Sequence, residues 1–174
     1  MDIALSHSYR NLEYLNSTDE LTNIFNRRKI QETLTLELER AKRYNADLGL
    51  ILFDIDNFKQ INDSVGHNGG DRVLVKLTQT IQKSLRNSDF FGRWGGEEFL
   101  VVIPEITKSE AKHLAEKIRE IVTQMGCSVV DNLSCSFGVS ILNKEQDTLD
   151  TLIERAHRAM YKAKELGKNR VEVL

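Results

Sequence analysis

The sequence predicts an α+β fold in which helices cover a mixed or mostly antiparallel sheet. Three observations carry this. From Thr18 onward, helical and strand-type patterns alternate along the chain. Two pairs of apolar runs are separated only by short turns, 90–102 interrupted at Gly95-Gly96 and 127–130 followed by 133–141, which is the mark of adjacent antiparallel strands. The 174 residues contain one proline, no repeat and no Gly/Ser-rich linker, so one domain with a short extension is expected.

The elements follow in order. Residues 1–17 read as an N-terminal helix, because Leu5, Leu12 and Leu15 lie seven and three apart with polar residues between them. That short a/d seam suits pairing with another helix or leaning on the main body. Residues 18–174 form the domain proper. Ile30, Leu34, Leu38 and Ala41 recur at helical spacing and predict a helix over about 26–44. The run 48–53 is continuously apolar, as in a strand buried on both faces. Leu74, Leu77, Ile81 and Leu85 mark a second helix after Gly69-Gly70, and 90–102 gives two strands joined at Gly95-Gly96. Thr107 with Glu110 three residues on signals a capping box, and Leu114, Ile118, Ile121 and Met125 continue that helix to Gly126. Residues 127–130 and 133–141 predict a second pair of strands. Leu152, Ile153, Ala156, Met160 and Ala163 make a last helix that Gly167 stops, and 171–174 a final short strand.

Composition excludes several classes. Lys plus Arg number 24 against 26 Asp plus Glu, for a formal charge of -2, which argues against nucleic-acid binding. The longest apolar runs are far too short to span a bilayer, and the first residues show no signal-peptide core. Cys127 and Cys135 lie eight apart with no CxxC, as expected of packing cysteines in a reduced, cytoplasmic protein.

Chemistry concentrates in two places. Asp54 and Asp56 stand at the end of the most apolar strand, where alternation lets both carboxylates share one face. Oxygen ligands of this kind suit a hard cation such as Mg2+; a pair of solvated turn acids is the alternative. In Gly95-Gly96-Glu97-Glu98 a glycine pair lets the backbone approach a ligand, and two carboxylates follow at the lip of the turn. A plain hairpin explains the glycines, but adjacent like charges in a strand repel, and a counter-cation relieves that.

The chain resembles the GGDEF domains, the diguanylate cyclases, through five ordered motifs between Thr18 and Val173. Residues 18–28 (TDELTNIFNRR) look like the opening D-x-L-T-x-L-x-N-R-R element. Residues 53–63 (FDIDNFKQIND) and 66–71 (GHNGGD) match F-D-I-D-x-F-K-x-I-N-D and G-H-x-x-G-D. Residues 95–99 are the GGEEF form of the signature, 136–140 (SFGVS) resemble the strand after it, and 161–171 carry the closing Y-K-A-K and G-K-N-R-V elements. The resemblance implies a fold related to the ferredoxin-like palm of nucleotide cyclases. It further implies condensation of two GTP molecules to cyclic di-GMP with loss of two pyrophosphates, on a homodimer in which each subunit presents one GTP.

By the same carry-over, Asp54, the backbone carbonyl of Ile55 and Glu97 hold Mg2+, or Mn2+ in its place, and Glu98 assists with the metal or the attacking hydroxyl. Asn62 and Asp71 match guanine-reading positions; each alone reads first as a cap, Asn62 of a helix or turn and Asp71 of the helix after Gly69-Gly70, and the two together in the motif read as base contacts. Lys59, Lys164 and Lys168 match positions that meet the phosphates, and Gly95 and Gly96 line the substrate. Two residues depart from the pattern. Lys168 stands where the family commonly has Arg, keeping the charge but losing the bidentate fork. Asn23 stands where Gly is frequent, and Asn tolerates a left-handed turn. Arg86-Asn87-Ser88-Asp89 is an RxxD with five residues between it and Gly95, the spacing of the family's product-inhibition site; by itself an RxxD reads as a surface ion pair. A domain that binds GTP or cyclic di-GMP and signals without catalysis is the rival reading, disfavoured by intact Asp54, Glu97 and Glu98. A polymerase-like or adenylate-specific cyclase is disfavoured by Asn62 with Asp71. No sensor module is recognisable, so a longer parent protein carrying one is expected.

Overall fold

The computed structural model describes residues 8–12 and 16–174. After a loop at 18–26 the elements run α1 (Arg27–Tyr44), β1 (Leu48–Ile55), α2 (Phe58–Gln82), β2 (Phe90–Arg93), β3 (Glu98–Pro104), α3 (Lys108–Gln124), β4 (Cys135–Ile141), α4 (Leu149–Glu165) and β5 (Val171–Val173). The strands form one sheet in the order β2-β3-β1-β4-β5. Every pairing is antiparallel except β4 with β5. The segment β1-α2-β2-β3-α3-β4 is thus a ferredoxin-like unit, with α1 added before it and α4-β5 after it.

β1 is central and buried along its whole length. Its alternation divides the core in two. Ile51, Phe53 and Ile55 face α2 and α3, where they meet Leu74, Leu77, Ala115 and Ile118. Phe53 stacks there on Phe99 and Phe137, with ring centroids 5.4 and 4.9 Å apart. Leu48, Leu50 and Leu52 face α1 and α4 and pack on Ile30, Leu34, Ala156 and Met160. Local signals start the helices as expected. Asn26 caps α1 through Lys29 N–H, and Thr107 and Glu110 close the capping box of α3.

Three expectations need correcting. Residues 127–130 form a turn, closed by Val130 N–H on the Cys127 carbonyl, and not a strand. Cys127, Val129 and Val130 are apolar because they plug the core from a loop, while β1 already has a strand on each side. β4 accordingly begins at Cys135, two residues later than predicted. The second helix starts at Phe58, not after Gly69-Gly70, and continues past a break at Gly66 (φ 75°, ψ 169°). Phe58 and Ile61 bury that first segment against the core. At the N-terminus, residues 8–12 and 16–17 are helical and Leu12 is exposed; Leu5 and Leu15 of the seam lie outside the described residues. Asn23 takes the left-handed turn anticipated for it, with φ 60°.

Candidate active site

The end of β1 and the β2–β3 turn meet at one edge of the sheet. Asp54 lies opposite Glu98 on one side and Ser136 on the other, so the three side chains share the α1/α4 face. Asp54 is only 5% exposed. Its Oδ2 accepts a hydrogen bond from Lys164 Nζ, whereas its Oδ1 is buried with no hydrogen-bond partner. Burial raises its pKa to about 6 against the pull of the Lys164 ammonium, and the charges of Glu98 and Asp56 push it the same way.

Lys164 reaches this point because α4 lies directly on β4. A Cβ on Gly138 would stand 2.1 Å from the Ala156 carbonyl oxygen and 2.3 Å from Met160 N, so only glycine admits the helix here. Lys164 follows Met160 by one turn and projects past the buried face toward the strand end.

The signature turn is built on Glu98, whose carbonyl accepts from both Trp94 N–H (2.8 Å) and Gly95 N–H (3.1 Å). Neither Gly95 nor Gly96 has positive φ, so left-handed freedom is not their purpose. What they leave is space: a Cβ on Gly96 would meet nothing, and one on Gly95 would approach only the Glu98 carboxylate, at 3.1 Å. Glu97 is half-buried and its carbonyl accepts from Ile55 N–H at 3.3 Å, which brings Asp54, Ile55 and Glu97 to one lip.

Two arginines clasp that turn, and sequence reasoning did not find their role. The Arg93 guanidinium donates twice to the Gly96 carbonyl, at 2.7 and 3.0 Å, and to both Asp19 oxygens at 3.2 Å. Asp19 is itself held by Thr22 N–H and Oγ1. Arg27 lies 4.4 Å above the Trp94 ring and donates to the Trp94 carbonyl at 3.2 Å. The available signal was the opening motif that carries Asp19 and Arg27, together with an arginine just ahead of the glycines. His157 Nδ1 approaches the Glu98 carboxylate at 3.9 Å.

Beyond Asp54 the acids part company. Asp56 has partners on both oxygens: Ser136 Oγ donates to Oδ1 at 2.5 Å, and Ser134 Oγ and Asn169 N–H to Oδ2 at 2.7 and 3.0 Å. Next comes the start of α2, where Asn57 sits in a left-handed conformation and makes no side-chain cap, leaving first-turn N–H groups for an anion. Lys59 is exposed on that turn, and Lys168 donates to Asn57 Oδ1. Asn62 and Asp71 are interior to the two segments of α2, so neither is a cap. The break at Gly66 folds the segments together: Asn62 Oδ1 is buried without a partner and would stand 1.8 Å from a Cβ on Gly70, with Asp71 next in sequence and exposed.

Arg86 and Asp89 form a closed fork. Asp89 accepts from Arg86 backbone N–H at 2.9 Å and from the guanidinium at 3.1 to 3.4 Å. The carboxylate is 1% exposed and the Arg86 side chain 54%. Both line a cavity of about 540 Å³ against α3 residues Ser109, His113 and Lys117.

Residues 16–170 match the family described as "Diguanylate cyclase, GGDEF domain". The chain belongs to the GGDEF family. Diguanylate cyclase DosC of Escherichia coli K12 is 37% identical over 159 residues, covering 89% of this chain and 34% of that relative. The chain therefore spans about a third of that relative's length. Among solved structures, the coiled coil and GGDEF domain of DgcB from Caulobacter crescentus, in complex with c-di-GMP, superposes with a TM-score of 0.92 at 27% identity, covering 98% of this chain and 92% of that one. The active GGEEF domain of a diguanylate cyclase from Vibrio cholerae gives 0.81 at 38% identity, covering 85% and 96%. In this GGDEF domain the α+β palm anticipated from the sequence is thereby shown. No three His, Cys, Asp or Glu side chains among the described residues gather into a metal cage. The oxygens offered at this strand end are fewer: the orphaned Asp54 Oδ1, the Ile55 carbonyl, and the carboxylates of Glu98, opposite Asp54, and of Glu97 beside it in the turn. A Mg2+-type ion completes so small a set with water and phosphate. Among the described residues no helix is long and apolar enough to cross a membrane.

Proposed function

We propose that the chain is a diguanylate cyclase that condenses two GTP molecules into cyclic di-GMP and two pyrophosphates, as a homodimer in the cytoplasm, with Mg2+ or with Mn2+ in its place. The observation that carries this is the buried, partnerless Asp54 Oδ1 at a strand end, opposite Glu98 and beside the glycine turn. A carboxylate oxygen withheld from water and from every donor is costly unless a ligand uses it.

The roles follow from placement. Asp54, the Ile55 carbonyl and Glu97 hold the cation, which when bound neutralises triphosphate charge and aligns the phosphate with the attacking 3′-hydroxyl. The uncapped start of α2, Lys59 and Lys168 receive the phosphates. Lys164 is paired with Asp54 and is placed to turn to the phosphates once Asp54 is engaged. Gly95 and Gly96 leave the space that substrate fills, and Glu98 sits beside it to assist with the cation or the hydroxyl. Asn62 Oδ1 and the Asp71 carboxylate are acceptors only toward a base edge that donates. Guanine donates from N1–H and its 2-amino group, whereas adenine presents an acceptor at N1.

Each chain presents one GTP, so two chains must meet across a two-fold axis for both bonds to form. The helical residues ahead of the domain are the expected route to that dimer and to an upstream sensor; the Caulobacter relative has a coiled coil with its GGDEF domain. Arg86 and Asp89 bind product and restrain the enzyme, with Arg86 already open to the adjoining cavity. Incubation of the purified chain with GTP and Mg2+ tests the proposal. Cyclic di-GMP and pyrophosphate should accumulate in a one-to-two ratio, and GTP binding without product would show a binding module instead.

A further inference from the structure

We infer that the two acids at the end of β1 divide the work: Asp54 faces the cation, while Asp56 is a positioning residue that sets Lys168 through the turn at 167–169. The inference rests on the cyclase reading for the role of Lys168 as a phosphate ligand. In sequence the two aspartates look alike, two residues apart on one face. In the structure they differ completely. Asp54 keeps an oxygen free of partners, whereas Asp56 spends both oxygens on Ser134, Ser136 and the backbone N–H of Asn169. It is buried as well, with both oxygens engaged by donors of the fold.

The Asn169 bond is the one that matters for function. Gly167, Lys168 and Asn169 are three successive residues at positive φ, 118°, 64° and 44°. Lys168 and Asn169 are not glycines, and such a conformation persists only where its surroundings over-determine it. Three restraints do so. Lys168 N–H donates to the Ala163 carbonyl at 3.0 Å, Asn169 N–H donates to the Asp56 carboxylate, and Asn169 Oδ1 accepts from Arg119 of α3 at 3.3 Å. A charge-assisted bond to a buried carboxylate is the strongest of these. With the backbone so held, the Lys168 side chain reaches back to Asn57 at the start of α2, beside the N–H groups offered to phosphate. Released, the turn relaxes toward ordinary φ values and re-aims that side chain.

Calorimetric titration of the full chain with GTP and with GMP in Mg2+ tests this on wild type, Asp56→Asn, Lys168→Ala and the double variant. Asp56→Asn should weaken GTP about tenfold, or ~1.4 kcal/mol, and leave GMP unchanged, because the loss falls on the outer phosphates. The double variant should bind GTP no more weakly than Lys168→Ala alone, since both changes remove one interaction. Ser134→Ala takes a donor from the same carboxylate oxygen without touching the turn; it should lower the melting temperature and leave GTP affinity intact. If Asp56→Asn does not fold, Arg119→Ala carries the test, because it loosens the same turn from the outside and should weaken GTP in the same direction. Wild-type GTP affinity in the folded Asp56 variant, an equal loss of GMP, or additive losses in the double variant overturn the inference while the cyclase reading stands. Wild type that fails to bind GTP overturns both.

Discussion

Replacing Asp54 by Asn should stabilise the metal-free protein at neutral pH while destroying its chemistry. Its carboxyl titrates near 6 rather than 3.8, chiefly because burial disfavours the charged form. The native state thus holds its proton more tightly than the unfolded chain. Stability falls as pH rises from about 4 to about 6, and the cost is fully present above 6. Each pH step across that interval is worth ~1.4 kcal/mol, so ionised Asp54 costs at most ~3 kcal/mol; partial exposure of its partner Lys164 brings the expectation to roughly 2 kcal/mol. In a chain of this length that corresponds to a rise of roughly 4–8 °C in Tm. Thermal melts of wild type and Asp54→Asn in chelator at pH 7.5 and pH 4 make the measurement. The variant should melt higher at pH 7.5, and the two should converge at pH 4. Adding Mg2+ and GTP should then stabilise wild type only, by mass action on the native state. A variant that melts at or below wild type at pH 7.5 would refute the argument, because it would mean that Lys164 fully compensates the buried charge.

Two further outcomes follow from the site. Asp71→Ala should weaken GTP by roughly 1–3 kcal/mol, the cost of leaving buried guanine donors unpaired, and should change ATP binding little; equal weakening of both nucleotides in a competition assay would make Asp71 structural. Cyclic di-GMP should inhibit wild type non-competitively with GTP, as a coupling between distinct sites does, and Arg86→Ala should relieve that inhibition while turnover persists. Undiminished sensitivity in that variant would place the product site elsewhere.

How much of this was legible depended on whether the signal was local. α1, β1, α3 and α4 announced themselves through helical spacing, a continuous apolar run and the Thr107–Glu110 box, and all four are present. The first segment of α2 did not, because Phe58 and Ile61 are its only large buried residues, Val65 only joins them at the edge of the core, and the other positions are polar. The run at 127–130 misled for the opposite reason: a short apolar stretch fits a strand or a loop plugging the core, and only the sheet topology separates them. The same holds for function. Asp54, Ile55 and Glu97 could be named from motifs, and the fold brings them to one lip. The Arg93–Asp19 clasp joins residues 74 apart in sequence, and no local pattern predicts such a pairing. Nor could spacing tell Asp54 from Asp56, since what separates them is the set of donors that β4 and the closing turn deliver.

The central claim is that the end of β1 and the signature turn form one catalytic centre. Turnover of GTP to cyclic di-GMP by Glu97→Ala, measured beside wild type at saturating Mg2+ with folding checked by circular dichroism, tests it most directly. In the proposed reading Glu97 is the second carboxylate on the cation, and its loss removes charge stabilisation worth several kcal/mol in the transition state. The account therefore predicts a folded variant with no detectable product, and wild-type turnover by a folded Glu97→Ala would contradict it.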